Sequence, residues 1–533
     1  MVEITRNKML ANIRHDHDPW DLVVIGGGAT GLGIALDASS RGLRTLLVER
    51  SDFTKGTSSR STKLVHGGVR YLRQGQIPLV LEALKERGLL KNNAPHLVRP
   101  IKFILPASQW WEKWFYTIGL KLYDILARHL SFGKSVMLST KQVQTEVSTL
   151  SPKRLKGGVL YYDGQMDDAR LGLAIAKTAV QKGAIVLNYC DVIGFNYDET
   201  GQVDQVVFND LITAENYTVQ AKAVVNATGV FVDQIRAIEN QKQTPIVRPS
   251  QGAHIVLPKR FLPGTSAIIF PKTKDGRVLF AIPWFDRVLV GTTDHFKEEL
   301  DREPKPLNAE LQEILDILQE HIIPPPQRED VLSVFAGLRP LVVPKGDHQT
   351  SAAVSREHIV MFGSGGVCHV TGGKWTTYRK MAEDVLDALE KRGQIAKHQC
   401  VTPSLKLYGW QKVDGMLNHL NVYGSEYAHI DGLKEELPHG NDKIHPQLPY
   451  THAEVIYAIR HEWAMTVEDV LSRRTRSLLL DAQASIESAP LVAQLMATEL
   501  NYDEQWIEQQ VDTFTALAQN YVWASSEASS IDH

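Results

Sequence analysis

A glycine cluster near the start of the chain has the residue types and spacing of a phosphate-binding turn. Gly26, Gly28 and Gly31 follow the pattern GxGxxG. In this pattern the first glycine permits a tight turn, the second lets a pyrophosphate approach the backbone, and the third lets a helix pack closely on a strand. Glu49 follows at roughly the 20-residue spacing at which a carboxylate can accept hydrogen bonds from ribose hydroxyls. These residues predict a dinucleotide site and leave NAD and FAD equally open.

The elements around the glycine cluster are those that the motif needs. The apolar run DLVVIG, starting at Asp21, predicts a strand, the stretch from Ala29 to Ser40 predicts a helix, and the run from Thr45 to Val48 predicts a second strand. The cluster then lies between a strand and the N-terminus of a helix, whose amides can donate to phosphate oxygens. We therefore interpret it as a nucleotide-binding turn rather than as an ordinary glycine-rich loop.

Short β-branched runs separated by polar turns dominate the middle of the chain. They follow Val159 and include AIVLN at Ala184, TVQAKAVVN at Thr218, AHIVLP at Ala253, VLFAIP at Val278 and VLVGTTD at Val288. Such a series predicts a largely antiparallel sheet beside the parallel one. From about Lys397, helical spacing without strand signals predicts a separate helical domain, with a linker between Thr402 and about Tyr450.

Composition excludes several classes of protein. The 533 residues include 43% hydrophobic and 22% charged residues, with a formal net charge of -3, which is typical of a soluble globular protein of several domains. There is no basic excess for nucleic acid, and the separated Cys190, Cys368 and Cys400 indicate free thiols in a reducing compartment and no metal site. The first residues resemble neither a signal nor a transit peptide, and no apolar run reaches the roughly 18 residues of a membrane span. We expect cytoplasmic synthesis, with any membrane contact made from the side.

Several separated blocks closely resemble the FAD-dependent glycerol-3-phosphate dehydrogenases. Spread over roughly residues 20 to 390, they are IGGGATGLGIALDASSRG at Ile25, TSSRSTKLVHGGVRYL at Thr57, GQMDDARL at Gly164, VNATG at Val225, PWFDRVLVGTTD at Pro283, AGLRPL at Ala336 and GGKWTTYRKMA at Gly372. The last block is the most specific, and the helical tail also resembles the C-terminal domain of that family. Leu32 departs from the family pattern, in which we expect a smaller residue.

The resemblance implies an α/β fold. An FAD-binding Rossmann-like domain of the glutathione-reductase type is expected to interleave with an antiparallel-sheet substrate domain, followed by a C-terminal helical domain. The expected ranges are 18–107, 151–235 and 351–396 for the FAD-binding domain, 108–150 for an amphipathic cap segment, 236–350 for the substrate domain and 397–533 for the helical domain.

The resemblance also implies an activity. The expected enzyme holds FAD non-covalently and oxidises sn-glycerol 3-phosphate to dihydroxyacetone phosphate by hydride transfer to the flavin. Its electrons pass to a membrane quinone, and it lies peripherally on the cytoplasmic membrane; a homodimer is left open. The main alternative is a glycerol-3-phosphate oxidase that uses oxygen. An amino-acid oxidase or a flavin-based redox sensor would not need several cations for a phosphate dianion.

The motifs carry the expected site residues. Cofactor contacts are expected from Gly26, Gly28, Gly31, Glu49, Thr57, Ser58, Ser59, His66, Val192, Asn226, Gly229, Gly373, Lys374 and Thr376. For the substrate phosphate, the candidates are Arg70, Tyr71, Arg339, Arg356 and Lys374, because guanidinium and ammonium groups bind phosphate oxygens. The catalytic candidates are Arg339, His66 and His254, and either neutral imidazole could accept the proton of the substrate hydroxyl.

A tryptophan-rich run from Ser108 to Arg128 has the pattern of an amphipathic helix. One stripe carries Trp111, Trp114, Phe115, Ile118, Leu122 and Ile125, and the other face carries Lys113, Thr117, Lys121, Asp124 and Arg128. A helix of this kind is suited to a lipid interface. The alternative is a helix whose aromatic side chains lie in the protein core.

Overall fold

The computed structural model describes residues 5–15, 18–69, 75–127, 130–153, 155–270, 278–342 and 357–523. The described strands are β1 Leu22–Ile25, β2 Thr45–Val48, β3 Leu64–Val65, β4 Val98–Pro106, β5 Val136–Leu138, β6 Gly158–Met166, β7 Ile185–Leu187, β8 Cys190–Tyr197, β9 Val203–Asp210, β10 Asn216–Gln220, β11 Val224–Asn226, β12 Val247–Pro258, β13 Ala267–Phe270, β14 Leu279–Trp284, β15 Arg287–Gly291, β16 His295–Phe296, β17 Ser333–Val342, β18 His358–Phe362 and β19 Cys368–Gly372.

The described α-helices connect these strands and continue to the C-terminal region. They are α1 Arg6–His15, α2 Ala29–Ser40, α3 Ile77–Asn93, α4 Glu112–Ala127, α5 Thr140–Glu146, α6 Asp168–Gln181, α7 Val232–Glu239, α8 Asn308–His321, α9 Tyr378–Lys391, α10 Tyr427–Glu436, α11 His452–Glu462, α12 Ser477–Leu480, α13 Ala482–Leu500 and α14 Glu504–Ala518. None of them is long and apolar enough to cross a membrane.

The first sheet is the mainly parallel sheet that the glycine motif predicts. Its described strands have the order β18-β19-β11-β1-β2-β7, and only β18 runs antiparallel to its neighbour. Every residue of β1 and β2 is buried, which is typical of strands covered on both faces. Helix α2 spans the residues that the sequence predicts, so the strand, turn, helix and strand unit is confirmed.

Helix α2 lies unusually close to its neighbours. A Cβ atom on Gly31 would overlap the carbonyl oxygen of Gly26, and a Cβ atom on Gly33 would lie 2.7 Å from the ring of Tyr378 in α9. Glycine at these two positions lets the helix approach both the nucleotide-binding turn and α9. Leu32 between them is fully buried, so the residue that departs from the family pattern is part of the core.

The second sheet is the predicted antiparallel one. Its described strands have the order β16-β12-β15-β14-β13-β4-β6-β3, with β17 beside β12 and β5 beside β6, and β13 and β4 are parallel to each other. Its longest pairing joins β12 to β17, from Val247 opposite Val342 to Val256 opposite Ser333. The AHIVLP, VLFAIP and VLVGTTD runs lie in this sheet, as the sequence predicts.

Some β-branched runs lie elsewhere. The runs that form β7 and β11 belong to the parallel sheet, so their antiparallel prediction is wrong, and β8, β9 and β10 form a separate three-stranded ribbon. Short apolar runs carry no signal for the sheet that they join, because buried strands of either kind have similar sequences. For the same reason β4 and β6 pair in the large sheet, although their residues fall in ranges predicted for the FAD-binding domain. The domain boundaries stay predictions.

Helix α4 exposes its apolar stripe. Trp114, Ile118 and Ile125 are 56%, 71% and 71% exposed, whereas Leu120 and Tyr123 on the other side are buried. The aromatic side chains of the stripe are therefore not in the core. Arg128, predicted for the polar face, lies outside the described residues.

The C-terminal region is helical, as predicted. Buried ion pairs join it to the segment after β2 and to α6. Helices α11 and α13 match the two apolar runs, and α10 falls within the predicted linker. Arg473 and Arg474 donate to Asp52, and Arg170 Nη1 lies 2.6 Å from Glu462. Breaking one partner of such a buried pair costs about 3–5 kcal/mol, because the other charge is left without compensation.

The close packing of α2 predicts a stability difference between two helical glycines. Gly31→Ala should lower the melting temperature, because overpacking costs about 1–3 kcal/mol. Gly119→Ala in α4 is the matched control: a Cβ atom there meets nothing within 4 Å, so we expect an unchanged or slightly raised value. Thermal unfolding followed by circular dichroism measures both, and equal melting temperatures would contradict the packing argument.

Candidate active site

A long cleft of about 300 Å³ runs along the carboxyl ends of the parallel strands. Ile25, Val48, Ala227 and Gly372, at or just beyond the ends of β1, β2, β11 and β19, all line it. This edge is where α/β sheets of this kind bind their ligands, and the volume is in the usual range for a small-molecule site. The cleft therefore marks the candidate site.

The nucleotide-binding turn forms one wall of the cleft. Gly26, Gly28 and Glu49 line it together. The Glu49 carboxylate accepts hydrogen bonds from the backbone amides of Gly27 and Ser51 at 2.5 and 2.8 Å. Burial raises the pKa of Glu49, and these two amides oppose the shift. The carboxylate is thus held at the end of β2 with its free lone pairs available for ribose hydroxyls.

The start of α2 is open to the cleft. Gly28 caps this helix without a side-chain hydrogen bond, so the first amides keep donor capacity, although Ser58 Oγ accepts from the Ala29 amide at 2.9 Å. Thr57 also lines the cleft, and its hydroxyl donates to the Leu338 carbonyl at 2.6 Å. A helix N-terminus beside small residues fits the pyrophosphate of FAD.

The remaining predicted cofactor residues fall into two groups. Val192, Gly229, Gly373 and Lys374 line the cleft. The others, which are Gly31, Ser59, His66, Asn226 and Thr376, are not among the lining residues. Asn226, for example, donates to the Val232 carbonyl at 2.9 Å and accepts from Thr228, which holds the turn after β11. The cofactor contacts stay predictions for all of them.

Of the two candidate bases, His254 occupies the more specific environment. It is buried, its Nε2 atom lies 3.0 Å from Thr62 Oγ1, and its ring stacks on Phe335 with centroids 4.7 Å apart. Burial and the positive charges of Lys63 and Arg339 lower the pKa of His254 well below its ordinary value. The imidazole is therefore neutral at physiological pH and able to accept a proton. For His66, the Thr376 hydroxyl donates to its carbonyl at 3.4 Å, which links it to the start of α9.

Arg339 lies on the same pair of strands as His254. Its Nη1 atom is 3.1 Å from Asp294, and its Nη2 atom is 3.1 Å from both Thr292 Oγ1 and the Thr293 carbonyl. A Cβ atom on Gly252 would overlap the guanidinium, so glycine there makes room for it. The next residue, Pro340, lines the cleft, which places Arg339 close to its end.

Three of the predicted phosphate-binding residues, Arg70, Tyr71 and Arg356, lie outside the described residues. Lys374 lines the cleft between Gly373, whose φ is +74°, and Trp375. Trp375 Nε1 donates to the Ser58 carbonyl at 2.8 Å, which joins the GGKWTT segment to the TSSRST segment. Lys374 therefore lines the cleft and Arg339 adjoins the lining residue Pro340, whereas His254 and Arg339 are not themselves among the lining residues.

The sequence reasoning missed several residues that shape this region. Thr62 contacts His254, and Lys63 is fully buried and ion-paired with Asp168 at 2.8 Å. Burial and the nearby Arg476 guanidinium lower the pKa of Lys63 to about 7, although Asp168 opposes the shift. Thr62 and Lys63 lie in the block TSSRSTKLVHGG, and Asp168 lies in the block GQMDDARL. Their polar side chains within these family-like blocks were the sequence signal that could have identified them as candidate site residues.

Two family models together cover most of the chain. The model "FAD dependent oxidoreductase" matches residues 21–379, and the model "C-terminal domain of alpha-glycerophosphate oxidase" matches residues 369–507. The first model spans both sheets, and the second spans much of the C-terminal helical region.

Two relatives align with nearly the whole chain. The mitochondrial glycerol-3-phosphate dehydrogenase SDP6 of Arabidopsis thaliana is 40% identical over 93% of this chain and 85% of its own length. The mitochondrial glycerol-3-phosphate dehydrogenase of Homo sapiens is 38% identical over 93% of this chain and 72% of its own length.

Solved structures agree with these relatives. The glycerol-3-phosphate dehydrogenase from Bacillus halodurans complexed with FAD is 30% identical, with a TM-score of 0.79 over 98% of this chain and 99% of its own. The L-alpha-glycerophosphate oxidase from Mycoplasma pneumoniae, at 16% identity and a TM-score of 0.52 over 70% of this chain and 95% of its own, shows the shared fold. The cleft, the glycine turn and Glu49 fit the dinucleotide part of FAD, and the chain therefore belongs to the FAD-dependent glycerol-3-phosphate dehydrogenases.

Proposed function

We propose that this protein oxidises sn-glycerol 3-phosphate to dihydroxyacetone phosphate and passes the electrons to a membrane quinone. The observation that carries the proposal is a buried histidine, His254, on the same strand pair as Arg339, whose positive charge acts on the imidazole. A secondary alcohol that carries a phosphate needs both a proton acceptor and a cation for its oxidation. His254 and Arg339 supply these two groups.

The proposed chemistry divides the alcohol's two hydrogens between two acceptors. The flavin, when bound, accepts the hydride from C2. His254 is proposed to accept the hydroxyl proton: its lowered pKa keeps the imidazole unprotonated at neutral pH, although it also makes the group a weaker base than a free imidazole. Thr62 and the Phe335 ring hold the imidazole in one orientation, so the proton acceptor needs little rearrangement.

Phosphate recognition in this proposal rests on Arg339 and Lys374. The Arg339 guanidinium is already oriented by Asp294, Thr292 and Thr293, which limits the entropy lost when it binds phosphate. Lys374 adds a second positive charge at the cleft wall. Arg70, Tyr71 and Arg356 remain further candidates on the grounds of the motifs alone.

Contact with a membrane is proposed to come from α4. Its exposed stripe lies along one side of the helix and includes Trp114, Phe115, Ile118, Leu122 and Ile125, and the exposed Trp111 directly precedes the helix. Soluble proteins rarely leave so many large apolar side chains together in water, and tryptophan favours the lipid interface. A quinone dissolved in lipid would be reached from such a position, which supports peripheral attachment to the cytoplasmic membrane.

A second candidate function is a glycerol-3-phosphate oxidase that uses oxygen. It is favoured by the C-terminal region, whose matching model carries the name of an alpha-glycerophosphate oxidase. Stoichiometric peroxide under air would support the oxidase, and electron transfer to a quinone analogue without peroxide would support the dehydrogenase.

The role of His254 predicts a large loss of rate in His254→Asn. We expect flavin reduction by glycerol 3-phosphate to slow by about 10²–10⁴-fold with FAD content retained, because the hydroxyl proton loses its acceptor. In the wild type, the rate should be flat near neutral pH and fall only in acid, since the base must be unprotonated and its pKa is lowered. Anaerobic stopped-flow absorbance measures both.

The matched variant for this test is His66→Asn, and glycerol is the matched substrate. We expect His66→Asn to keep the rate within a few-fold of the wild type. The opposite result, a slow His66→Asn and a normal His254→Asn, would identify His66 as the proton acceptor instead. Absence of wild-type flavin bleaching by glycerol 3-phosphate would remove the proposed function altogether.

The role of Arg339 predicts a change in substrate preference. Arg339→Ala should raise KM for glycerol 3-phosphate by about 10- to 100-fold, the value expected for losing hydrogen bonds to a charged group. Steady-state kinetics should show no comparable change for glycerol, which has no phosphate. Arg260→Ala is the control, because this arginine pairs with Asp330 and is 62% exposed. An unchanged preference for the phosphorylated substrate would exclude Arg339 from phosphate binding.

The exposed stripe of α4 predicts lipid binding. The double variant Trp111→Glu/Trp114→Glu should float with anionic liposomes much less than the wild type, because two charges oppose burial in the interface. The control Ile193→Glu/Leu211→Glu adds the same charge at two other exposed apolar residues, in and next to the three-stranded ribbon. All proteins must retain FAD; equal flotation of both double variants and the wild type would contradict the assignment.

A further inference from the structure

One buried side chain of the C-terminal region reaches the segment that carries Thr62. Arg476, which precedes α12, is 1% exposed at its side chain. Its Nη2 atom donates to Asp168 Oδ1 at 2.8 Å and to the Ser59 carbonyl at 3.1 Å. Ser59 belongs to the TSSRST segment, so the C-terminal region touches the same stretch of backbone that lines the cofactor cleft.

Asp168 also accepts hydrogen bonds from other residues of this segment. Its Oδ2 atom accepts from Ser61 Oγ at 2.7 Å, from the Ser61 amide at 3.2 Å and from Lys63 Nζ at 2.8 Å. Lys63 Nζ donates in addition to the Ser59 carbonyl at 2.6 Å. Alternate residues of the segment, at positions 59, 61 and 63, are therefore bound by one buried network. We call Ser59, Ser61, Lys63, Asp168 and Arg476 the Asp168 cluster.

The backbone of Lys63 shows why such a network is needed. Its φ of +61° is in the left-handed region, which disfavours a residue with a Cβ atom and persists only when surrounding contacts hold it. The Lys63 amide donates to Ser61 Oγ at 3.0 Å and the Met166 amide donates to the Lys63 carbonyl at 2.9 Å, and the Asp168 cluster adds the contacts of the Lys63 side chain. Without Arg476, Asp168 Oδ1 would lose the guanidinium and keep the hydrogen bond from the Ala169 amide at 2.9 Å, so the segment would be held less firmly.

Thr62 lies between the two residues that Asp168 binds. Its Oγ1 atom is 3.0 Å from His254 Nε2, so a shift of the segment changes the contact that orients the imidazole. We propose that Arg476 is a positioning residue: through Asp168 it holds Thr62 against His254, and the C-terminal domain thereby completes the active site. The proposal rests on the proposed function, because it assigns His254 the proton of the substrate.

Docking of the C-terminal region does not depend on Arg476. Arg473 and Arg474 both donate to Asp52, and Arg170 pairs with Glu462, which are separate buried contacts between this region and the rest of the protein. Loss of Arg476 should therefore leave the region attached while loosening the Thr62 segment. This separation makes a positioning role testable apart from a structural one.

The experiment measures the coupling between Arg476 and Thr62 in the full-length holoenzyme. We expect Arg476→Met to slow anaerobic flavin reduction at saturating glycerol 3-phosphate by about tenfold, with FAD content and KM near the wild-type values, because a small misplacement of a catalytic group costs this much or more. Thr62→Val removes the hydroxyl at constant shape. In the Thr62→Val background, Arg476→Met should cause little further loss, since both changes act on the same contact.

Controls separate this role from simple destabilisation. Arg474→Met removes one donor to Asp52 and should lower the melting temperature without coupling to Thr62→Val. Arg476→Lys keeps the charge but reaches fewer acceptors, so it should recover part of the rate; it also gives the readout if Arg476→Met fails to fold. Equal rates for Arg476→Met and the wild type, or equal losses in both backgrounds, would overturn the inference. A wild-type flavin that glycerol 3-phosphate does not reduce would instead overturn the proposed function.

Discussion

The antiparallel pairing of β12 with β17 is the constraint on which the arrangement of the site depends. Its register sets Ser250 opposite Arg339 and His254 opposite Phe335. Strand β17 also carries Leu338, whose carbonyl accepts a hydrogen bond from Thr57, and Pro340, which lines the cleft. One ladder of backbone hydrogen bonds thus relates the candidate base, the candidate phosphate-binding arginine and the segment that is proposed to bind the cofactor. A slip of one residue would turn each side chain of a strand to the other face of the sheet.

Electrostatics add a second constraint to this geometry. Burial lowers the pKa of His254, and the charges of Lys63 and Arg339 act in the same direction. In the proposed reaction, these positive charges would keep the proton acceptor unprotonated. Burying Lys63 is costly unless it is paired, and its contacts with Asp168 and the Ser59 carbonyl meet that requirement. Because Lys63 acts on His254, the Asp168 cluster that stabilises the buried Lys63 also contributes to keeping His254 neutral.

Local patterns were predictable from the sequence, and long-range contacts were not. The strand, turn, helix and strand around Gly26 is encoded within a short stretch, so spacing alone predicted its fold. His254 and Arg339 were found only through resemblance, because their proximity depends on the register of two distant strands. The contact of Arg476 with Asp168 was not predictable for the same reason, because the two residues lie 308 positions apart in the sequence. The stripe of α4 was visible as a helical period, but a period cannot tell whether a face meets core or water.

The contact between Arg476 and Asp168 has a consequence for synthesis of the protein. A ribosome adds about 5–20 residues per second, so roughly 15–60 s separate the emergence of these two side chains. The strands of the nucleotide-binding sheet are all synthesised before Arg476, the last of them being β19, while Asp167 and Asp168 still lack this guanidinium. Products of premature termination would therefore carry the glycine turn without a finished network beside it. Completion of the network beside the candidate site is thereby tied to synthesis of the C-terminal helical region.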